Sequence, residues 1–232
     1  MSLSTTVKLG SLVEIIPGAS IRDYEPRDAA SFFRNEDMAE ANIVPVSALD
    51  EDLPLNQDKT QPVWVKMSLL RRDDMRSPVL RQFDIILTNR NEPRVVLLSD
   101  FQETQSKHDR SPNIASGPLM IVRLKEQGGW SFWRAQYLAW WLGHAKTRRV
   151  LRRMMKGMTV KVLTRTDMEN LDVPIPAPDE NLQGATTEKL IADHAVNGKE
   201  LRRKLHEQAE LEYKRAQEVL YRMATGKLPV IR

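Results

Sequence analysis

The sequence predicts a mixed α+β fold, with one globular domain over residues 1–183 and a helical region over residues 184–232. Three observations predict this organisation. The first half of the chain contains short runs of β-branched and apolar residues that are separated by polar turns. The second half places its apolar residues at helical spacing, and the last region adds charged pairs at the same spacing. Strands followed by helices in this order are typical of the α+β class.

The strands are predicted where apolar residues cluster between turn signals. They cover residues 7–16, 62–70, 83–87, 95–98 and 119–124. Pro17-Gly18 closes the first of them, and the polar residues 88–94 connect the third strand to the fourth. Because residues 99–116 contain few apolar side chains, we expect a long surface loop there.

Two helices are predicted after these strands. The first begins at Ser131, which is a suitable N-cap, and ends or is interrupted at Gly143. The second covers about residues 145–155 and stops before Gly157. The side chains expected to face the core from this second helix are Val150, Leu151 and Met154.

The end of the chain is predicted to leave the globular domain through an extended segment and then to form helices. Residues 159–163 are expected to form a short strand, and the proline-rich residues 171–178 to be extended, because prolines disfavour helix. Asn197-Gly198 is a predicted helix break. A long helix should then run from Lys199 to Ala224, supported by pairs of opposite charge four residues apart such as Glu200 and Lys204.

The positive charge of the chain is concentrated in one segment. The net charge is only +4, but the stretch from Trp130 to Lys156 contains no acidic residue. Its cations are Arg134, Lys146, Arg148, Arg149, Arg152, Arg153 and Lys156. Such a face can neutralise nucleic-acid phosphates; the alternatives are a solvated helix face or a face that meets an acidic protein.

The aromatic residues of this segment have two interpretations. Those between Trp130 and Trp141 could stack on bases. At helical spacing, however, aromatic side chains more often pack in a core, and we expect that role here.

The patterns required for catalysis are weak. The chain has no cysteine, which excludes disulfides, cysteine zinc sites and a thiol nucleophile. The four histidines are scattered without metal-ligand spacing: His108, His144, His194 and His206. Asp84 with Glu92-Pro93-Arg94 has a faint likeness to a metal-dependent nuclease site, but Arg94 cannot act as a base. We therefore predict a chain that is not an enzyme and that uses neither a metal nor a cofactor; an enzyme with an unrecognised site remains an alternative.

The sequence shows no sign of a membrane or secretory segment. The first residues lack an apolar stretch after a basic start. No apolar run reaches the roughly 18 residues that a membrane span needs. We expect a cytoplasmic protein.

The order of these features resembles the specificity subunits of type I restriction-modification systems. The segments that carry the resemblance are 7–18, 80–87, 137–142, 171–176 and 220–227. They correspond to the opening strand of a target-recognition domain, its inner strand, its closing helix, its proline-rich exit and the end of the spacer helix. Family members contain two such domain-and-helix units, whereas this sequence contains one, so the resemblance implies a half-sized specificity subunit.

The resemblance implies a non-catalytic chain that binds double-stranded DNA and recruits a methyltransferase subunit, and where present a nuclease, to a bipartite target. A contrasting interpretation is a helical adaptor that dimerises and does not bind DNA. Arginine pairs with guanine, and asparagine or glutamine with adenine, so base contacts are expected from loops and strand ends. The candidates are Arg71, Arg72, Arg76, Asn89, Arg90, Asn91, Arg94, Gln102, Gln105, Lys107 and Arg110, with Arg149, Arg152 and Arg153 on phosphates.

Because the sequence contains one domain-and-helix unit where family members contain two, the resemblance implies that a second unit comes from another chain. Two copies could associate through a narrow apolar stripe on the last helix, as a homodimeric coiled coil with an inverted-repeat target. The stripe consists of Leu201, Leu205, Ala209, Ala216, Val219 and Met223. The alternative is that a different, full-length subunit supplies the second domain.

Overall fold

A computed structural model describes residues 5–26, 37–49, 56–71, 74–99, 111–125, 131–175 and 187–224. The chain divides into two compact units, Met1–Ala195 and Val196–Arg232. The described strands are β1 (Thr5–Lys8), β2 (Val13–Pro17), β3 (Tyr24–Pro26), β4 (Met38–Val44), β5 (Gln61–Lys66), β6 (Ile85–Thr88), β7 (Val95–Leu97), β8 (Asn113–Ala115), β9 (Leu119–Leu124) and β10 (Asp172–Ile175). The α-helices are α1 (Leu9–Leu12), α2 (Ser131–Gly143), α3 (Ala145–Met154), α4 (Arg165–Glu169) and α5 (Thr187–Ala224). The predicted mixture of helix and sheet is confirmed.

The described strands form three sheets. One sheet is antiparallel and has the strand order β2-β9-β6-β7; we call it the central sheet. A second sheet has the strand order β3-β5-β4-β8, and along the chain its strands lie between those of the central sheet. In the second sheet, β4 and β8 are parallel and the other pairs are antiparallel. A separate ribbon pairs β1 with β10, so that Thr5 lies opposite Ile175.

The central sheet is buried on both faces. Its alternate residues project to opposite sides: Ile15 and Ile85 enter the core that contains α2 and α3, whereas Ile16 and Ile86 enter the core that contains β4 and β8. Two buried faces explain why Ile85, Ile86 and Leu87 form a continuous apolar run without alternation. Burial of each such side chain stabilises the fold by about 1.5–3 kcal/mol.

One ion pair lies inside this layered core. Asp84, just before β6, accepts hydrogen bonds from Nε and Nη2 of Arg123 on β9, at 2.9 and 2.7 Å. Both side chains are at most 3% exposed. Burial raises the pKa of the Asp84 carboxyl, and the hydrogen bonds from Arg123 and from the Arg81 amide oppose that rise. Arg123 also donates to the carbonyls of Met75, Ser77 and Val79, so the pair ties the central sheet to the segment before it.

Three predictions for the strand region were wrong. The strand expected over residues 62–70 ends at Lys66, because Met67–Leu70 form a 3₁₀ turn. Residues 7–16 are not one strand, because the helical turn α1 separates β1 from β2 and buries Leu9 completely. The expected loop over 99–116 contains the buried strand β8, whose parallel pairing with β4 brings Asn113 beside Asn42. Its three residues are too few for a period to be visible. The part of that segment between residues 100 and 110 lies outside the described residues.

Three helix-region predictions also need correction. Of the three side chains expected to face the core from α3, Leu151 is buried and Met154 is partly buried against the core, but Val150 is 43% exposed, and Thr147 is buried in addition. The short strand expected over residues 159–163 is not formed: residues 157–161 make a turn, and within 159–163 only Val162 is bridged to neighbours. The helix α5 continues through Asn197-Gly198; a helical glycine costs only about 1 kcal/mol, so it does not force a break. No helix among the described residues is long and apolar enough to span a membrane.

Candidate nucleic-acid interface

Three connections meet at one end of the central sheet. The register places Pro17 opposite Met120 and Thr88 opposite Leu119, so the ends of β2 and β6 lie beside the start of β9. Residues 18–23 follow β2, residues 116–118 precede β9, and residues 89–94 join β6 to β7. Loops that are far apart in sequence therefore lie together at one end of the central sheet, an arrangement that is common at binding sites.

Backbone hydrogen bonds hold these connections against one another. The amide of Gly18 donates to the Leu119 carbonyl at 2.9 Å, and that of Asn89 to the Pro118 carbonyl at 3.0 Å. The Asn89 side-chain amide also donates to the Gly117 carbonyl at 3.3 Å. A Cβ at Gly18 would lie 2.0 Å from the Ser116 carbonyl oxygen, so only glycine allows this close approach.

The turn after α3 packs onto the β6–β7 connection. The amide of Leu163 donates to the Asn89 carbonyl at 2.8 Å, and that of Asn91 donates to the Lys161 carbonyl at 3.1 Å. Asn91 has a φ of 60°, a left-handed conformation that asparagine adopts more readily than most residues. The two loops thus form one hydrogen-bonded unit.

Helix α3 adds its basic face to this unit. Arg149, Arg152 and Arg153 are exposed, while Leu151 is fully buried on the opposite side. Nη2 of Arg152 lies 2.6 Å from Oε1 of Glu92 in the β6–β7 connection. We call the surface formed by residues 18–23, 89–94, 116–118 and 149–161 the basic ridge.

Among the described residues, much of the positive charge on the basic ridge is not compensated by a carboxylate. Arg152 pairs with Glu92, and Lys156 pairs with Asp167 at 3.2 Å. A hydrogen bond from the Thr164 hydroxyl, followed by the contact with Lys156, lowers the pKa of Asp167. Within the part of the chain that the structure describes, the ridge cations without an ion pair include Arg90, Arg94, Arg149, Arg153 and Lys161. Such a surface attracts polyanions.

The structure brings together some of the residues predicted to contact DNA. Those on the basic ridge are Asn89, Arg90, Asn91, Arg94, Arg149, Arg152 and Arg153. Of these, Asn89 is only 9% exposed, and its amide supports the loop rather than projecting from it. The others are exposed and stay candidates for DNA contact.

The remaining predicted residues lie elsewhere. Arg76 donates to Glu14 at 3.0 Å, and Glu14 lies near the opposite end of the central sheet. Arg71 is exposed after the 3₁₀ turn Met67–Leu70. The candidates outside the described residues are Arg72, Gln102, Gln105, Lys107 and Arg110.

Sequence reasoning missed the turn over residues 157–161 as part of this surface. Residues 159–163 were predicted to form a short strand, and that range overlaps most of this turn. The signal that could have identified the turn is Gly157, which has a φ of 127°. The core role expected for the aromatic residues holds in part: Tyr137 is 2% exposed in the core, whereas Trp140 is 37% exposed.

The faint nuclease pattern does not assemble into a site. Asp84 precedes β6 and binds Arg123, whereas Glu92 follows β6 and binds Arg152, so the carboxylates belong to opposite ends of one strand. Among the described residues, no group of three or more His, Cys, Asp or Glu side chains could hold a metal ion.

The apolar stripe on α5 is partly described. Leu201, Leu205 and Val219 are exposed to 60%, 57% and 47%, and Ala209 is also exposed. The side chains of Ala216 and Met223 lie outside the described residues. Large apolar side chains spaced along one helix face are typical of a surface that meets a partner.

Comparison with known proteins supports the predicted resemblance at the level of the fold. No protein-family model and no curated protein matches the sequence. The structure resembles the crystal structure of the type I restriction-modification S subunit from M. genitalium, with a TM-score of 0.53 and 12% identity. That match covers 95% of this chain and 46% of the subunit, so the chain spans about half of its structural relative.

Two further structures match over similar lengths. One is the HsdS subunit from Thermoanaerobacter tengcongensis, with 17% identity, a TM-score of 0.44, and coverage of 97% of this chain and 46% of that one. The other comes from a study of complex assembly in the type I restriction-modification system, with 19% identity, a TM-score of 0.45, and coverage of 94% and 45%. The resemblance to a half-sized specificity subunit, predicted from short motifs, is confirmed as a likeness of fold.

Proposed function

We propose that this chain is a cytoplasmic, sequence-specific DNA-binding subunit of a restriction-modification system, and that it directs a methyltransferase, and where present a nuclease, to a bipartite target. The observation that carries the proposal is the basic ridge, where cations that lack an ion pair among the described residues stand on loops fixed to one end of the central sheet. The likeness to the M. genitalium S subunit supports the same assignment. The chain itself performs no chemistry in this proposal.

The side chains of the basic ridge suit two kinds of contact with DNA. Arg149, Arg152 and Arg153 share one face of α3 and suit phosphates, which position a protein without reading sequence. Arg90, Asn91 and Arg94 stand on the neighbouring connection and suit base edges, because their guanidinium and amide groups can pair with guanine or adenine. We assign these contacts to residues within the domain of residues 1–183.

The association of two copies is the second part of the proposal. The exposed stripe that includes Leu201, Leu205 and Val219 would pair with its equivalent in a second chain, so that residues 184–232 serve as spacer and dimerisation region. Two-fold pairing would be mirrored by an inverted-repeat target with fixed half-site spacing. Insertion of one helical turn near Gln208 lengthens the helix by about 5.4 Å and should widen the spacing without changing the bases read.

The test of DNA binding is a selection of random duplexes by the purified full-length chain, alone and together with the protein encoded by the neighbouring gene. We expect one enriched sequence class and binding that weakens steeply with salt. The competing function is a helical adaptor that does not bind DNA, which predicts dimerisation without enrichment and without salt-dependent duplex binding.

Sedimentation of the isolated chain tests the pairing separately. A dimer at micromolar concentration and a selected target with two-fold symmetry are expected. A strict monomer, or a target without symmetry, would show that another subunit supplies the second recognition domain.

A further inference from the structure

The turn over residues 157–161 exposes an apolar side chain at the tip of the basic ridge. Met158 is fully exposed, with a relative accessibility of 104%, and Val160 two positions later is 45% exposed. A single exposed apolar side chain is common on protein surfaces. The surroundings of Met158 are less common. It lies between Lys156 and Lys161 in sequence, on the basic ridge, where several cations have no ion pair among the described residues.

This turn is closed by a short ladder. The amide of Lys156 donates to the Val162 carbonyl at 3.0 Å, and the amide of Val162 donates back at 2.8 Å. The chain reverses so tightly that a Cβ at Gly157 would lie 2.1 Å from the Val160 carbonyl oxygen. A turn that is ordered before binding loses little conformational freedom when it meets a partner.

Contacts on both sides hold the turn in place. On one side, Lys156 pairs with Asp167, which also accepts a hydrogen bond from the Thr164 hydroxyl at 2.6 Å. On the other side, the Lys161 carbonyl accepts from the Asn91 amide, and Arg90 is bridged to Val162. The tip is therefore fixed next to the cations of the β6–β7 connection.

We propose that Met158 is a wedge that enters the minor groove of the bound duplex and partly unstacks one base step. This inference rests on the proposed DNA-binding function. An apolar, flexible side chain carries no hydrogen-bonding information for reading base edges, but methionine is among the side chains that separate base pairs from the minor-groove side. Lys161, which has no ion pair among the described residues, would contact the phosphates that border the groove.

The test measures the shape of the DNA as well as its affinity. A duplex recovered by the selection is labelled at its ends for energy transfer, and in parallel carries 2-aminopurine in place of single adenines. With the unaltered chain we expect a bend of about 20–90° and increased 2-aminopurine fluorescence at one step. Met158→Ala should bind the duplex more weakly, without the bend and without the increase, whereas Met158→Leu should retain both.

Matched controls separate this effect from a folding defect. Met67→Ala removes a 52% exposed methionine side chain of the turn Met67–Leu70, outside the basic ridge, and should leave the bend unchanged. Because Met158 is fully exposed, Met158→Ala should melt with the unaltered chain. If the unaltered chain binds no duplex, both the wedge and the proposed function are wrong. If Met158→Ala binds and bends the duplex like the unaltered chain, or if only a preference for thymine is lost, the wedge is wrong and DNA binding stands.

Discussion

The two ends of the central sheet use arginine in opposite ways. At the end marked by Asp84 and Glu14, arginine side chains are neutralised by carboxylates: Arg123 by Asp84 inside the core, and Arg76 and Arg165 by Glu14 at 3.0 and 2.9 Å. At the other end, the basic ridge leaves Arg90, Arg94, Arg149 and Arg153 without an ion pair among the described residues.

The difference shows which charges serve the fold and which are available to a partner. A compensated arginine fixes neighbouring segments, and its removal leaves a carboxylate without its counter-charge. An uncompensated cluster gains little within the chain and repels itself, so a polyanion that contacts it is bound favourably. The comparison predicts that substitutions at the first end change stability, whereas those at the second change binding.

The largest effect is expected from Arg123→Ala. It leaves the Asp84 carboxyl buried without its partner, and loss of one member of a buried pair destabilises a protein by about 3–5 kcal/mol. The free energy of unfolding in urea measures this. Arg76→Ala is the control, because its side chain is 69% exposed and an exposed pair contributes only about 0–1 kcal/mol. Equal losses for both variants would show that burial of the Asp84 pair is unimportant.

The second effect concerns affinity for DNA. Replacement of Arg149, Arg152 and Arg153 with alanine should weaken binding to every sequence similarly, and should reduce the slope of log affinity against log salt by roughly one per lost phosphate contact. Titrations at several salt concentrations measure the slope. Removal of Arg76 and Arg165 from the other end should leave it unchanged; an equal reduction would contradict the distinction between the ends.

A smaller, more specific effect is expected from Arg90→Ala and Asn91→Ala. Loss of a base contact should change the preference at one position of the target by about 1–3 kcal/mol, as measured by repeating the selection. Asn89→Ala is the control from the same connection. The buried side-chain amide of Asn89 donates to the Gly117 carbonyl, so this variant should lower stability and leave the preference profile unchanged. Retention of the original profile by both Arg90→Ala and Asn91→Ala would remove this connection from the base-reading surface.

The smallest effect concerns pH and the support beneath the turn. The Thr164 and Lys156 contacts lower the pKa of Asp167 below its ordinary value of 3.8. The stability they contribute is therefore fully present above that value, and is lost as pH falls through the lowered pKa. Asp167→Asn should be slightly less stable than the unaltered chain at neutral pH, by less than about 1 kcal/mol, with the difference disappearing at strongly acidic pH. A difference that persists at acidic pH would mean that packing, rather than charge, is responsible.

The sequence predicted those parts of the fold in which local pattern and burial agree. Residues 119–124 are the strand β9, and α2 ends at Gly143, as predicted. The failures occurred where tertiary contacts decide. The helical turn α1 is only four residues long, and β8 only three, so neither provides a period. Val150 is exposed although apolar, because packing around Leu151 determines the rotation of α3.

The candidate site was predictable in its residue types and less so in its geometry. Arg90 and Arg152 were both identified from the sequence, but only the structure shows that Glu92 connects their two segments. Arg76 looked equivalent to them, yet its partner Glu14 is 62 positions away in sequence. Asn89 was predicted to contact DNA through its side-chain amide, but in the fold that amide donates to the Gly117 carbonyl.

The pairing of β1 with β10 has a consequence for how the chain reaches its native state. Among the described residues, Thr5–Lys8 pairs with Asp172–Ile175 alone, and the Leu9 amide donates to the Leu171 carbonyl at 2.8 Å. Closing so long a loop is entropically costly, and contacts of this range slow folding. During synthesis, β1 therefore cannot pair with β10 until β10 has left the ribosome. We expect formation of this ribbon to be among the last folding steps. A nascent chain stalled before residue 172 should leave β1 open to protease, and release of β10 should protect it.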